Sequence, residues 1–266
     1  MENLMLWLDM QRIRSEAPLI HNITNYVVMN ITANALLAIG ASPVMAHARE
    51  EVEEMTSLSK ALVLNLGTLS PPWVDSMLKA GQRADAAGIP IVLDPVGSGA
   101  TKFRTQTARL LLQKTHPAII RGNGSEIRSL VLNEQSTKGV DSTHAPEETI
   151  EAAKALSVKC GCVVSVSGGT DVIIDKNSTI RIFNGHPIMP RITGMGCVAT
   201  AVTAAFAAVN PSPFFAAANA MALMGIAGEI AAESSCGPGS FEISFLDTLY
   251  NIRESEIQNR LRMEGA

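Results

Sequence analysis

Residues 89–99 read IPIVLDPVGSG, and this stretch decides the fold. Its first five residues carry no charged or hydrogen-bonding side chain, so a strand there offers no face to water. Asp94, Pro95, Gly97 and Gly99 then end it, as turn residues do. A strand apolar on both sides that stops in a polar turn belongs to a mostly parallel sheet with helices on both faces.

The same alternation extends outward in both directions. Apolar, β-branched runs predict strands over 42–46, 61–66, 89–94, 118–121, 162–166, 172–175 and 179–183. Helical spacing falls between them over 27–39, 72–87, 103–114 and 146–157, and three further helices run from 197 to the C-terminus. The fold class is therefore α/β, three-layered. No Pro/Gly-rich linker or repeat interrupts residues 1–266, which predicts a single domain, and the polar segment 133–144 is expected to be a mobile surface loop.

Bulk composition narrows the function. The chain of 266 residues is 47% hydrophobic and 17% charged, enough apolar mass for a packed core. A net charge of −4 with no Lys/Arg-dense run speaks against nucleic-acid binding. The N-terminus lacks the basic-then-apolar order of a signal peptide. The longest apolar stretch, 214–232, contains Asn219 and Glu229 and reads as a packed interior helix, so no membrane partner is expected. Cys160, Cys162, Cys197 and Cys236 lack zinc-ligand spacing and read as reduced thiols of a cytoplasmic protein, with Cys160 and Cys162 alternating as core filler in one strand.

In such sheets ligands sit beyond the carboxyl ends of the strands. Here those ends read NLGT (65–68), DPVGSG (94–99), RGNGSE (121–126) and SGG (167–169), so glycines and polar groups collect at one edge. Asp94 and Glu126 could hold Mg²⁺ directly or through water, or could serve only as a turn residue and a helix-end carboxylate. Arg121 offers a planar cation for a phosphate chain, against an ordinary ion pair. Ser167 could reach a nucleotide phosphate or merely open a glycine turn.

Gly194-Met195-Gly196-Cys197 precedes a run of small residues, so a helix points its free N–H groups at a glycine turn and makes an anion hole. The spacing Gly194-x-Gly196-x-x-Ala199 also fits a dinucleotide fingerprint, but Pro187 and Pro190 stand where its strand should be. Cys197 lies at the helix N-terminus, where the dipole favours a thiolate able to act as base or nucleophile. It could equally be a small residue that fits a crowded hole, or inert core. The segment HNITNY (21–26), with Asn30 and Asn34 beyond it, is rich in amides for a binding or capping role, and Met45 would give a small ring a soft apolar surface.

With these residues in view, the chain resembles the hydroxyethylthiazole kinases of the ribokinase-like superfamily. The resemblance rests on HNITNYVVMNITANALLAIGASPVMAHA (21–48), LVLNLGTL (62–69), VLDPVGSGAT (92–101), IIRGNGSEI (119–127) and ITGMGCVATAV (192–202). It implies a three-layer ribokinase-like fold and transfer of the γ-phosphoryl group of ATP to the primary alcohol of 4-methyl-5-(2-hydroxyethyl)thiazole, with Mg²⁺, in thiamine salvage. It places Arg121 and Ser167 on ATP, Met45 and Gly194 on the thiazole, and Asp94 and Glu126 near metal and phosphates. Cys197 falls where related sugar kinases carry a catalytic Asp. It further implies a homotrimer with the active site at the subunit interface. Two positions depart from the family pattern: Met195 replaces a Thr, and Ser167 stands where many members have Thr. The alternatives are a kinase for hydroxymethylpyrimidine or a related alcohol, a repair dehydratase of the same fold, or a non-catalytic nucleotide- or thiazole-binding regulator.

Overall fold

The structure is a computed structural model that describes residues 2–131, 146–176 and 178–265. The segment 133–144 therefore lies outside the described residues. In chain order the first half runs α1 (Glu2–Glu16), β1 (Leu19–Ile23), α2 (Met29–Ile39), β2 (Ser42–Val44), α3 (Val52–Leu58), β3 (Ala61–Asn65), α4 (Pro71–Ala87), β4 (Ile91–Asp94) and α5 (Lys102–Thr115). Then follow β5 (Ile119–Asn123), α6 (Gly124–Val131), α7 (Pro146–Cys160), β6 (Val163–Ser167), β7 (Asp171–Asp175) and β8 (Ser178–Ile182). The chain closes with α8 (Met195–Val209), α9 (Pro213–Glu233), α10 (Pro238–Asn251), α11 (Glu254–Arg260) and β9 (Met263–Glu264).

The strands form one sheet of nine in the order β2-β1-β3-β4-β5-β6-β7-β8-β9. The first six are mutually parallel and the last three antiparallel. Period-two alternation sorts the strand residues onto two cores. Ala61, Val63, Val92 and Ile119 join α1, α2, α8, α9 and α10 on one face, while Leu62, Leu64, Leu93 and Ile120 meet α4, α5, α6 and α7 on the other. This double burial is why the strands carry almost no polar alternates. Among the described residues α9 alone is long and apolar enough to cross a membrane, yet 83% of that stretch is buried inside the fold.

Three expectations need correction. The last part of the chain is not purely helical: it carries four helices, and β9 pairs with β8. His21 and Asn22 lie on a buried strand, β1, which the sequence reading did not assign, ahead of the segment that enters α2. Their polar atoms are accommodated inside the fold, with His21 bonded to Thr56 Oγ1 at 3.0 Å and Ala46 O at 2.7 Å, and Asn22 Nδ2 donating to Ile20 O at 2.8 Å. Cys160 closes α7 while Cys162 leads into β6, so the two do not alternate within one strand.

The chain passes from β1 outward to β2 and then returns to place β3 on β1's other side. That reversal opens a crevice beyond the carboxyl ends of β1 and β3, where open α/β sheets take their ligands. The amide-rich residues after β1 and the Asn65–Thr68 turn after β3 lie there.

Candidate active site

The turn that opens α8 is shaped by its neighbours. Gly194 has φ 85°, a conformation that glycine adopts freely, and a Cβ there would stand 2.5 Å from Val28 Cγ1 of the segment entering α2. A Cβ on Gly196 would stand 2.8 Å from Arg121 Nη1. The first helical hydrogen bond runs from Val198 N–H to Gly194 O at 2.8 Å, so the preceding N–H groups point out of the helix end. Met195, one of the two residues that depart from the pattern noted in the sequence, is 8% exposed, belongs to the core cluster on this face of the sheet and also borders the cavity over the turn. Its long side chain thus joins the apolar interior.

A cavity of about 770 Å³ lies over this turn, lined by Asp94, Arg121, Glu126, Ser167, Gly194 and Cys197. Pro187, Met221 and Met224 add an apolar shelf to its wall. Six of the seven residues singled out from the sequence are therefore brought together. Met45 is not among the lining residues; it is half-buried on the segment after β2. Close by in sequence, the His47 ring packs 4.6 Å from that of Trp73, which in turn lies 4.9 Å from the ring of Tyr26.

Arg121 is 7% exposed, and its Nε finds no hydrogen-bond partner among the described residues. A buried guanidinium with a spare donor is costly unless an anion completes it. Asp94, 2% exposed, accepts from Asn65 Nδ2 at 2.7 Å and Thr200 Oγ1 at 2.8 Å. Burial pushes its carboxyl up to about 6, against the pull of Arg121 and with a push from Glu126. Asp94 and Glu126 are two carboxylates facing one cavity, groups that could hold a divalent cation. Glu126 already accepts from Gly97 N–H through Oε1 and from Asn123 N–H through Oε2, both at 2.9 Å, so it also ties the turns after β4 and β5 together. No cluster of three metal-ligating side chains occurs among the described residues.

Of the readings open for Cys197, the resting thiolate is the one its surroundings disfavour. Burial and the Asp94 charge push its thiol up to about 11, although Asn65, Asn25 and Arg121 pull the other way. The helix dipole does not leave a resting thiolate at neutral pH. Its sulfur instead accepts a hydrogen bond from Asn25 Nδ2 at 3.5 Å. Ser167 sits opposite Asn123 in the β5–β6 pairing, its hydroxyl 3.4 Å from Gly122 O.

Two residues were missed in the sequence. Thr200, one helical turn beyond Gly196, reaches Asp94. Asp171 is 9% exposed, accepts from Gly168 N–H at 3.0 Å and is pushed up to about 6 by burial, opposed by that bond and by Arg121. Its spacing of three from Gly168 was the one available signal.

The Hydroxyethylthiazole kinase family model matches residues 10–255 of the chain. A hydroxyethylthiazole kinase from Syntrophus aciditrophicus is 57% identical over 258 residues, covering 97% of this chain and 96% of that protein. The solved structure of hydroxyethylthiazole kinase from Pyrococcus horikoshii OT3 superposes with a TM-score of 0.91 at 42% identity, covering 98% and 99% of the two chains. A ribokinase-like superfamily protein from Enterococcus faecalis V583 shares the fold alone, with a TM-score of 0.65 at 13% identity over 92% of this chain and 88% of that one.

Proposed function

The chain belongs to the hydroxyethylthiazole kinase family, and from that membership we infer that it transfers the γ-phosphoryl group of ATP to the primary alcohol of 4-methyl-5-(2-hydroxyethyl)thiazole. The fold is ribokinase-like, and the whole chain is read as one kinase domain because a single continuous sheet runs through it. The observation that carries the reading at the level of the site is Arg121, buried with an unpaired donor against a glycine turn at a helix N-terminus.

In this reading Arg121 and Ser167 hold the phosphates of ATP, and the apolar shelf of Pro187, Met221 and Met224 takes its base. The thiazole alcohol lies over Gly194; Met45, which does not line the cavity of its own chain, meets the ring from a neighbouring copy in the assembly favoured below. The N–H groups of the turn and the dipole of α8 stabilise charge on the moving phosphoryl group. Asp94 and Glu126 would hold Mg²⁺, directly or through water, and the ion would supply charge neutralisation on the phosphates.

Cys197 is the group beside the attacking oxygen. With its thiol resting protonated, it has no part in early proton abstraction. None is required, because in a loose transition state the alcohol keeps its proton until its oxygen is largely bonded to phosphorus. The late proton passes to the minority thiolate or to a water beside it.

A homotrimer with the site near the subunit interface is the assembly we favour. Tyr26, Val27 and Leu37 beside and along α2 are more than half exposed, as are Ile243 and Tyr250 on α10, which packs against α2. An apolar face of this kind, continuous with the segment that enters the site, suits a second copy of the chain. The place of the reaction is thiamine salvage in the cytoplasm. The comparisons lend no support to a pyrimidine-alcohol kinase or a non-catalytic binder.

The deciding experiment measures phosphate transfer from ATP to hydroxyethylthiazole with and without Mg²⁺, with hydroxymethylpyrimidine as competing alcohol. Metal-dependent transfer to the thiazole is expected. Transfer to the pyrimidine alone would overturn the substrate, and no transfer to either would overturn the kinase.

A further inference from the structure

We propose that Asn25 and Asn65 form a positioning relay, anchored on Asp94, that fixes the Cys197 sulfur beside the reacting alcohol. The relay rests on the reading of Cys197 given above.

Its direction follows from hydrogen-bond inventory. The Asp94 oxygen that takes the Thr200 hydroxyl also takes an amide N–H, so Asn65 must turn its NH₂ toward Asp94, at 2.7 Å. The Asn65 carbonyl then faces the other way, where it accepts from Gly67 N–H and from Asn25 Nδ2, both at 2.9 Å. A flipped Asn65 would set its NH₂ against two donors and leave Asp94 facing an oxygen. Asn25 in turn spends one N–H on Asn65 and the other on Cys197 Sγ at 3.5 Å, while its oxygen accepts from Val27 N–H at 3.1 Å. Every bond agrees with one orientation of each amide, so neither amide is free to flip.

The surroundings are built for this arrangement. Asn25, Asn65 and Asp94 are 4%, 0% and 2% exposed, so no water competes for their bonds. They sit at or just past the carboxyl ends of β1, β3 and β4, and Asn65 is paired with Asp94 in the parallel register. Position 67 must lack a side chain: a Cβ there would stand 2.5 Å from Asn25 Nδ2. Tyr26 N–H donates to Thr68 Oγ1 at 3.2 Å and ties the two strand ends together on the far side of Asn25.

A cysteine side chain alone can rotate among three staggered positions. The Asn25 N–H selects one of them. The Asn25 end of the relay therefore acts on the chemical step.

The test is a double-mutant cycle read by kcat, by KM for ATP and thiazole, and by Tm. Asn25→Ala and Asn65→Leu are each expected to lower kcat by about tenfold, a size that coupled contacts reach, and Asn25→Ala, which touches neither Asp94 nor Arg121, is expected to leave KM for ATP unchanged. In a Cys197→Ala background, Asn25→Ala should cost nothing further. Asn25→Asp, which keeps the shape but puts an acceptor against Asn65 Oδ1 and the sulfur, should behave the same way even where Asn25→Ala lowers Tm. If the Asn25 and Cys197 effects multiply independently, the relay is wrong while the reading of Cys197 survives. If Cys197→Ala keeps the wild-type kcat, Cys197 has no catalytic part and the relay falls with it.

Discussion

The guanidinium of Arg121 packs against the bare Cα of Gly196, so close that a Cβ would stand 2.8 Å from Nη1. This contact brings the buried cation in the middle of β5 to the N-terminus of α8, and so joins the two halves of the proposed anion site. Gly196→Ala should push the guanidinium aside and raise KM for ATP by about tenfold, the effect of losing part of a charge-assisted contact. A circular-dichroism spectrum and Tm close to wild type would show that the loss is local; an unchanged KM would mean that Arg121 has room to move.

Arg121→Ala should raise KM for ATP far more than KM for thiazole, because the side chain is read as a phosphate ligand. Removal of one hydrogen-bonded charge costs roughly 1.5–3 kcal/mol, or about tenfold to a hundredfold. Steady-state kinetics varying each substrate in turn will separate the two. Equal effects on both constants would make Arg121 a structural residue.

Cys197→Ala should lower kcat and leave measurable activity, since general base catalysis contributes at most ~10²–10⁴-fold and the thiol rests protonated. Cys197→Asp, which restores the carboxylate of related sugar kinases, should remain active. A folded, ATP-binding Cys197→Asp enzyme with no turnover would remove Cys197 from the proton path.

Asp94 gives a pH signature. Its carboxyl is held protonated up to about 6 in the fold but only to near 3.8 in the unfolded chain, so the native state binds the extra proton between those values. Ligand-free stability should therefore fall as pH rises from about 4 to 7, by an amount on the order of 3 kcal/mol at most from this group. Asp171, pushed the same way, adds to the trend. Asp94→Asn keeps an oxygen for Asn65 and Thr200, so it should raise Tm at pH 7 more than at pH 4.5 while it impairs phosphoryl transfer. Thermal unfolding at the two pH values checks this; equal Tm shifts would show that the carboxylate is not desolvated.

Much of the fold was legible because burial on both sheet faces leaves a plain trace. Residues 61–65 and 91–93 carry no charge, and glycine turns mark where their strands stop. β1 escaped notice for the opposite reason. His21 and Asn22 look like loop residues until their partners Thr56, Ala46 and Ile20 are in place. The site was legible at the strand ends, where Asp94, Arg121, Glu126 and Ser167 follow apolar runs. Asp171 and Thr200 were hidden because neither stands at the end of a run.

The sequence by itself determined the alternation of strand and helix, the edge on which the polar residues gather, and the family. These depend on local periodicity and on motifs that keep their order along the chain. Only the tertiary structure decided that Arg121 meets Gly196, that Asn65 points its NH₂ to Asp94, and that the Cys197 thiol rests protonated. Each of those depends on burial and on partners far away in sequence, such as Asn25 and Cys197, 172 positions apart. Desolvation and hydrogen-bond direction are set by what surrounds a group in space, and a linear pattern does not carry that information.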